Sequence, residues 1–280
     1  MTKRSLFFLH IPKTGGTTLK NILSSKYPDE CIYNIEGSVN ECIENLQKIP
    51  KELLSKYELV QGHMSFGLHQ LFPQESNYFA MMRDPLDRAI SDYYFLRTNI
   101  HHHLHKQVSA MSMTSYMQSE MTSQLSNGQT RLLSGDCKDS QIGIPSIRKL
   151  EVSDLEKAKK NIRDHFSFVG LQEMFDETLL LLSKNYGWGY PFYIATNITR
   201  KRPALENISP SDKAVIQNQN RLDFALYDYV KQNFQRQLEE LGLKFRIELA
   251  VFKAMNRLYR KWYGAKFRIK SILSRLSGRV

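Results

Sequence analysis

The feature that most constrains this chain is a stretch near its start, where an apolar run of strand length gives way to residues 12–18 (PKTGGTT). Apolar residues then recur at helical spacing, at Leu19, Ile22 and Leu23. This order predicts a strand, a tight loop and a helix. Glycines let the backbone wrap closely around an anion, and the start of the helix presents unpaired N–H groups and the positive end of its dipole. The stretch therefore predicts a phosphate-binding loop.

The position of the lysine in this loop argues against two common nucleotide-binding motifs. In the nucleoside-triphosphate loop G-x-x-x-x-G-K-[ST] the lysine follows the last glycine, whereas Lys13 precedes Gly15 and Gly16 here. The dinucleotide fingerprint G-x-G-x-x-G does not occur in the sequence. The loop is therefore of another phosphate-binding kind, or it is a Gly-Gly turn with an incidental lysine.

Polar residues also follow two later predicted strands. His63 comes directly after one of them, and Arg83 comes after the next, with Ser91 two helical turns further on. Ligand groups in an open parallel sheet lie at the carboxyl ends of the strands. We therefore expect His63 and Arg83 at the same sheet edge as Lys13.

These motifs resemble those of sulfotransferases that use 3′-phosphoadenosine 5′-phosphosulfate (PAPS) as donor. Residues 12–18 resemble the 5′-phosphosulfate loop, and residues 83–94, with the pattern R-D-P-x-x-R-x-x-S-x-Y-Y, resemble the 3′-phosphate motif. Residues 62–65 are similar to the Gly-His-x-Ser of heparan sulfate 2-O- and 6-O-sulfotransferases. The resemblance to these enzymes and their bacterial relatives (the sulfotransferase family 2 type) extends from about residue 5 to residue 235.

The resemblance implies PAPS as donor, no required metal ion, and a carbohydrate or glycolipid acceptor. The donor-binding residues it implies are Lys13, Thr14, Gly15, Gly16, Thr17, Thr18, Arg83, Ser91, Arg200, Lys201 and Arg202. The catalytic residues it implies are Lys13, which would neutralise the leaving phosphate, and His63, which would accept the proton of the acceptor hydroxyl.

Some assignments stay open. Uronosyl enzymes of the family have a second histidine two places before the base, and that position is Gln61 here. If His63 is structural, Glu30 or Glu36 is an alternative base. Each residue of the basic loop 200–202 could also be an ordinary surface residue.

The predicted fold is α/β, with a P-loop-like central parallel sheet flanked by helices. The predicted strands lie near residues 5–10, 57–62, 77–82 and 166–170. Residues 1–242 are predicted to form the sulfotransferase domain, in which residues 98–150 form a helical insertion on the acceptor side. Residues 243–280 are predicted to form a basic amphipathic C-terminal helix.

Within and before the insertion, three features have ambiguous roles. Arg88 supports the family motif but could be a solvated helix residue, and Arg131 could serve acceptor binding or packing. The histidine run 101–105 is a weak metal signature, and a surface loop that faces an acidic glycan is the better interpretation.

The net charge of +11 is concentrated at one end of the chain. Residues 243–280 contain eleven Lys and Arg residues against one acid, Glu248, whereas residues 1–242 contain 28 basic and 27 acidic residues. The body is therefore not a general binder of polyanions, and no nucleic-acid partner is predicted.

The tail has apolar residues at alternating spacings of four and three, as in an amphipathic helix. These residues are Val251, Met255, Leu258, Trp262, Ala265, Ile269, Ile272 and Leu276. Two interpretations are open: the helix packs on the body or a partner, or it contacts an anionic inner-membrane surface. The second would bring the site close to lipid-linked glycans.

The three cysteines, Cys31, Cys42 and Cys137, are odd in number and lack C-x-x-C spacing, so neither a disulfide framework nor a zinc site is indicated. The phosphate loop follows the start of the sequence within a dozen residues, which leaves no room for a signal peptide. We therefore expect a cytoplasmic protein, with peripheral attachment at the inner membrane as a further option through the tail.

Three function classes follow from the sequence. The first is a PAPS-dependent carbohydrate sulfotransferase. The second is a P-loop nucleotide kinase, which the lysine order disfavours. The third is a membrane- or polyanion-binding protein on a catalytically inactive sulfotransferase fold.

Overall fold

A computed structural model describes residues 4–37, 39–119, 121–136, 146–196 and 202–276, with side chains described as far as Tyr263. Five parallel strands form one sheet in the order β2-β3-β1-β4-β5. They are β1 (Ser5–Leu9), β2 (Ile32–Ile35), β3 (Leu59–Gly62), β4 (Ser76–Met82) and β5 (Phe166–Leu171). The predicted α/β fold and its four strands are confirmed.

Helices connect and cover the strands. They are α1 (Gly16–Ser24), α2 (Val39–Lys48), α3 (Lys51–Leu54), α4 (Pro85–Thr98), α5 (His105–Ser109), α6 (Met113–Met117), α7 (Gly128–Ser134), α8 (Val152–His165), α9 (Phe175–Asn185), α10 (Pro210–Gln219), α11 (Arg221–Glu240) and α12 (Gly242–Leu276). None of the helices in the described part of the chain combines the length and apolar content needed to cross a membrane. Cys31 and Cys42 are free thiols, and Cys137 lies outside the described residues.

Strand β2 was not predicted from the sequence. It has only four residues and pairs with β3 alone, at one edge of the sheet. Ile32 and Ile35 are buried while Asn34 is exposed. Four residues give too little alternation of apolar and polar side chains to distinguish this strand from a loop by sequence.

The sheet topology creates the cleft. Every residue of β1 is buried, and this strand pairs with β3 on one side and β4 on the other. After β1 the chain turns toward β2, whereas after β4 it turns toward β5 at the opposite edge. The loops after β1 and β4 therefore diverge, and a crevice opens between the carboxyl ends of these two strands.

The predicted insertion contains α5, α6 and α7, and a second apolar cluster joins it to α4 and α10. Arg131 is buried and donates to Asp136 (2.6 Å) and to the carbonyl oxygens of Ser146 and Arg148. Its role is therefore packing within the fold. Arg88 is also buried, with its guanidinium donating to the Gln124 carbonyl oxygen (2.8 Å), so its interpretation as a solvated residue is wrong.

The beginning of α12 belongs to the body of the protein. Phe245 and Phe252 are buried in the main hydrophobic core, and the Asn256 side-chain oxygen accepts from the Tyr193 backbone N–H (3.0 Å). The predicted boundary after residue 242 thus separates two helices that share one core. The basic helix packs on the body at least as far as Asn256.

Gly62 at the end of β3 offers a test of the sheet geometry. Its φ is +149°, and a Cβ added there would lie 2.5 Å from the Ile35 carbonyl oxygen of neighbouring β2. We expect Gly62→Ala to lower the free energy of unfolding by about 2 kcal/mol or more, because strand β2 must move. Urea denaturation measures this change.

The matched control is Gly189→Ala, because a Cβ at Gly189 would meet no atom within 4 Å. We expect its effect to be within about 0.5 kcal/mol. Equal stability of the two variants would contradict the β2–β3 packing described here.

Candidate active site

A cleft of about 680 Å³ lies at the carboxyl ends of β1, β3 and β4. Most of the residues implied by the family resemblance line it. These are Lys13, Gly15, Gly16, Thr17, Thr18, His63, Arg83, Ser91 and Arg202. Arg200 and Lys201 lie outside the described residues. Four separate segments of the sequence, around the loop Lys13–Thr18, His63, Arg83–Ser91 and Arg202, therefore come together in one site.

The loop after β1 has the backbone of an anion-binding turn. Lys13 and Gly15 both have positive φ, at 69° and 82°, and α1 begins at Gly16. Successive N–H groups in such a turn can converge on an anion at the helix start. The Thr14 hydroxyl is buried and donates to the Ile11 carbonyl oxygen (2.8 Å). The side chain of Thr14 therefore stabilises the loop and does not line the cleft, so only its backbone could serve a ligand.

The Lys13 ammonium lies over the ring of Phe95, 3.6 Å from the ring centroid. Burial lowers the pKa of Lys13 to about 8; the charge of Arg83 adds to this effect and the charge of Asp92 opposes it. Lys13 is thus mostly protonated at neutral pH, and it is only partly hydrated. A cation in this state interacts strongly with an anion that replaces its remaining water.

Arg83 connects the two motifs. Its Nη1 donates to the Lys13 carbonyl oxygen (2.9 Å), and its Nε donates to the carboxylate of Asp87 (2.8 Å). Arg202 also donates to Asp87. Burial alone would raise the pKa of Asp87, but its hydrogen bonds and ion pairs with Arg202 and Arg83 hold it below the usual value. Asp87 therefore fixes two cleft arginines close to each other.

A residue of the insertion, Gln129, holds the backbone of Arg83. The Gln129 side chain accepts from the backbone N–H of Arg83 (3.1 Å) and donates to its carbonyl oxygen (2.9 Å). Gln129 is fully buried at the start of α7, whose backbone N–H groups at Gln129 and Thr130 bond to Asp223. Arg83 is thus rigidly positioned at its backbone as well as at its guanidinium.

His63 has the tautomer required of a general base. Its Nδ1 lies 2.9 Å from the His10 carbonyl oxygen, which can only accept, so Nδ1 carries the proton and Nε2 keeps its lone pair. The ring stacks on that of His10 at 4.3 Å between centroids. The surrounding protein limits hydration of His63 and lowers its pKa; the bond to His10 opposes this shift and the charge of Lys20 adds to it. His63 is therefore neutral at pH 7.

Gln61, at the position of the second family histidine, has a structural role. Its amide nitrogen donates to Ser24 (2.7 Å) and to Asn34 (3.0 Å), which ties β3 to α1 and β2. The second histidine in this site comes instead from His10, which lies at the end of β1. Burial, the charge that His63 would carry if protonated, and the charges of Lys20 and Lys13 lower the pKa of His10 to about 3, so this ring is also neutral.

The cleft contains residues that the sequence analysis missed. Asp92 lines it and accepts a hydrogen bond from the Tyr116 hydroxyl (2.9 Å). Asp92 follows Ser91 on α4 and Phe95 lies one turn on, so helical spacing could have identified both residues. His102 lines the cleft as well, but it is one of four histidines in the loop 101–105, and nothing in the sequence singled it out.

The carboxylates suggested as alternative bases lie elsewhere. Glu36 pairs with Lys20 (3.0 Å) and is largely exposed, and Glu30 lies in the turn before β2; neither lines the cleft. Among the described residues, Asp92 is the one carboxylate in the lining. In the same part of the chain, no three His, Cys, Asp or Glu side chains are grouped so as to hold a metal ion.

Comparison with known proteins identifies the family of the chain. The family model of galactose-3-O-sulfotransferase matches residues 1–263. The chain is 20% identical over 256 residues to mouse galactose-3-O-sulfotransferase 2, an alignment that covers 84% of this chain and 62% of that protein. It is 25% identical to mouse uronyl 2-sulfotransferase, with 85% of this chain and 64% of that protein covered.

Human heparan-sulfate 6-O-sulfotransferase 3 is a third relative, 23% identical, with 82% of this chain and 57% of that protein covered. The chain spans less than two thirds of the length of these relatives. The resemblance seen in the two phosphate motifs thus extends over nearly the whole sequence, and the chain belongs to the galactose-3-O-sulfotransferase family of carbohydrate sulfotransferases.

Proposed function

We propose that this chain transfers the sulfuryl group of PAPS to a hydroxyl of a carbohydrate acceptor. The observation that carries the proposal is the bond from Arg83 to the Lys13 carbonyl oxygen, because it joins the phosphate loop and the 3′-phosphate motif in one cleft. The cleft volume of about 680 Å³ suits a nucleotide, since small-molecule sites measure roughly 300–1,000 Å³.

The cleft residues fit the two phosphates of the donor. The loop Lys13–Thr18 would hold the 5′-phosphosulfate at the start of α1. Arg83 and Ser91 would hold the 3′-phosphate, with Arg202 beside Arg83 on Asp87. Arg200 and Lys201 stay candidates for the same phosphate.

The chemistry is an in-line displacement at sulfur. When bound, PAPS supplies an activated sulfuryl group on its 5′-phosphate. The acceptor oxygen forms the new bond to sulfur as the bond between sulfur and the phosphate oxygen breaks, which leaves adenosine 3′,5′-bisphosphate (PAP). The protein mainly positions the reactants and compensates charge, as in phosphoryl transfer.

Lys13 and His63 would act at opposite ends of this displacement. Lys13 neutralises the negative charge that grows on the 5′-phosphate as it leaves. His63 accepts the acceptor proton at Nε2, the nitrogen left free by its bond to the His10 carbonyl oxygen. His63 is exposed and Lys13 is half-buried in the same cleft, an arrangement that suits an acceptor entering from solvent.

The experiment that tests the activity is a screen of labelled sulfate transfer from PAPS onto galactose-, uronate- and glucosamine-containing glycans and glycolipids. Transfer to at least one acceptor class supports the proposal. Binding of PAP without transfer to any of them would favour the non-catalytic alternative, and phosphate transfer from ATP would favour the kinase.

Binding of PAP and adenosine 5′-phosphate isolates the contribution of the 3′-phosphate, because the two ligands differ by that group alone. We expect PAP to bind about 10- to 100-fold more tightly, since a hydrogen-bonded charge contact contributes about 1.5–3 kcal/mol. Arg83→Ala and Ser91→Ala should each reduce this preference in isothermal titration calorimetry.

The control for charge is Arg163→Ala, a variant of an exposed residue on α8 outside the cleft. It should retain the full preference for PAP. Equal affinity of the wild-type protein for the two ligands would contradict the assignment of Arg83 and Ser91.

The catalytic assignments predict separable defects. His63→Ala should lower turnover by about 10²–10⁴-fold and leave PAP affinity nearly unchanged. Lys13→Ala should lower turnover and also weaken PAP binding. His101→Ala, an exposed histidine outside the cleft lining, is the control. A folded His63→Ala variant with near-wild-type turnover would place the base elsewhere, with Asp92, the carboxylate in the described cleft lining, to be tested next.

The pH dependence should have two limbs. Activity should fall on the acid side below the ordinary histidine pKa of about 6.5, because the lowered pKa of His63 keeps it a neutral base down to that range. It should fall on the basic side with a pKa of about 8 in kcat/KM, as free Lys13 loses its proton. Lys13→Arg should remove the basic limb, and persistence of that limb would exclude Lys13 as its source.

We further propose that α12 contacts an anionic membrane surface, which would place a cytoplasmic enzyme beside glycolipid acceptors. An apolar row on this helix is exposed, although the opposite face packs on the body. The row consists of Leu243, Ile247, Val251, Met255, Leu258 and Trp262. Exposed Lys and Arg residues flank it, and each one close to an anionic surface adds about 1 kcal/mol of attraction.

Vesicle co-sedimentation tests this contact. We expect the double variant Val251→Glu/Leu258→Glu to lose binding to anionic vesicles, and Leu53→Glu, at an exposed leucine on α3, to retain it. Truncation after Gly242 would be a poor test because it removes the core residues Phe245 and Phe252. Binding that is absent, or unaffected by the double variant, would contradict the membrane proposal.

A further inference from the structure

The C-terminal helix reaches the cleft. Arg260 is the residue of α12, among those whose side chains are described, that lines the cavity containing Lys13 and Arg83. It continues the packed face of the helix, four positions after Asn256 and eight after Phe252, both of which are buried. Its position is thus set by the same contacts that hold α12 on the body.

Two contacts with Tyr193 orient the Arg260 guanidinium. It lies over the aromatic ring at 4.5 Å from the centroid, and its Nε donates to the Tyr193 carbonyl oxygen (3.3 Å). No described carboxylate lies within 4 Å of it, in contrast to Arg83 and Arg202, which share Asp87. Arg260 therefore keeps guanidinium N–H groups available for an anion at the rim of the cleft.

The contacts around Arg260 lead to the phosphate loop. The Tyr193 ring packs on Phe175 (4.9 Å between centroids), and the Phe175 ring would lie 3.2 Å from a Cβ on Gly15. Three residues after Tyr193, the Thr196 backbone N–H donates to the hydroxyl of Thr18 on α1 (3.0 Å). These contacts place Arg260 on the wall that adjoins the loop.

We propose that Arg260 is a further donor-binding residue, which brings a positive charge from the C-terminal helix to the phosphorylated nucleotide. This inference rests on the proposed function, because the anion it assigns is the donor. The sequence could not indicate it, since Arg260 is one of eleven basic residues in the tail and lies outside both phosphate motifs.

The test compares PAP binding by the wild-type chain, Arg260→Gln and Arg257→Gln in calorimetry at about 50 and 200 mM salt. Arg257 is exposed one turn earlier on the same helix and does not line the cleft, so both variants lose the same charge. We expect about a tenfold weaker affinity for Arg260→Gln and less than about a twofold change for Arg257→Gln.

Salt dependence separates a charge contact from a structural role of Arg260. A direct contact predicts that Arg260→Gln binds PAP with a weaker salt dependence than Arg257→Gln, and that Arg260→Lys recovers part of the affinity. Equal PAP affinities of the two glutamine variants would overturn the inference, as would a changed acceptor KM with unchanged PAP affinity. Failure of the wild-type chain to bind PAP would instead contradict the proposed function itself.

Discussion

The hydrogen bond from the Arg83 guanidinium to the Lys13 carbonyl oxygen is the contact on which the site depends. It exists because β1 and β4 are neighbours in the sheet and the chain leaves them in opposite directions. Residues 70 positions apart in sequence therefore meet at one edge. Asp87 and Gln129 fix Arg83 on its other sides, so the distance between the two proposed phosphate-binding elements is set by rigid parts of the fold.

A second constraint acts on the histidine pair. Gly62 allows β3 to approach β2 closely, and the strand then turns so that the His63 ring stacks on His10. The His10 carbonyl oxygen selects the tautomer of His63, and limited hydration keeps its ring neutral. One short segment at the end of β1 thus shapes the phosphate loop and orients the proposed base.

Much of the fold and of the candidate site could be predicted from the sequence because both follow from strong local patterns. The apolar run before residue 12 and the helical spacing after residue 16 specify the phosphate loop, and the residues that follow predicted strands could be placed at a common edge. Strand β2 was missed since four residues give too little alternation. Tyr193 and Arg260 were missed because tertiary packing, and no local motif, brings them to the cleft, whereas the helical spacing around Ser91 could have identified Asp92.

In α12, the apolar row predicted from the sequence is not the set of residues that packs on the body. The described residues of that row, which include Val251 and Leu258, are on the exposed face, whereas Phe245 and Phe252 lie on another face and are buried. Periodicity identifies a helix but does not say which of two apolar faces meets the body. With one face packed and another exposed, α12 has the geometry that both proposals require, a contact with the donor site through Arg260 and a contact with an anionic membrane through the exposed apolar row.

The most direct test of the central claim is a crystal structure of the chain with PAP. The account predicts the 5′-phosphate at the start of α1, within hydrogen-bond distance of the loop that contains Lys13, and the 3′-phosphate on Arg83 and Ser91. A nucleotide bound outside this cleft, or one whose 3′-phosphate points to solvent, would contradict it.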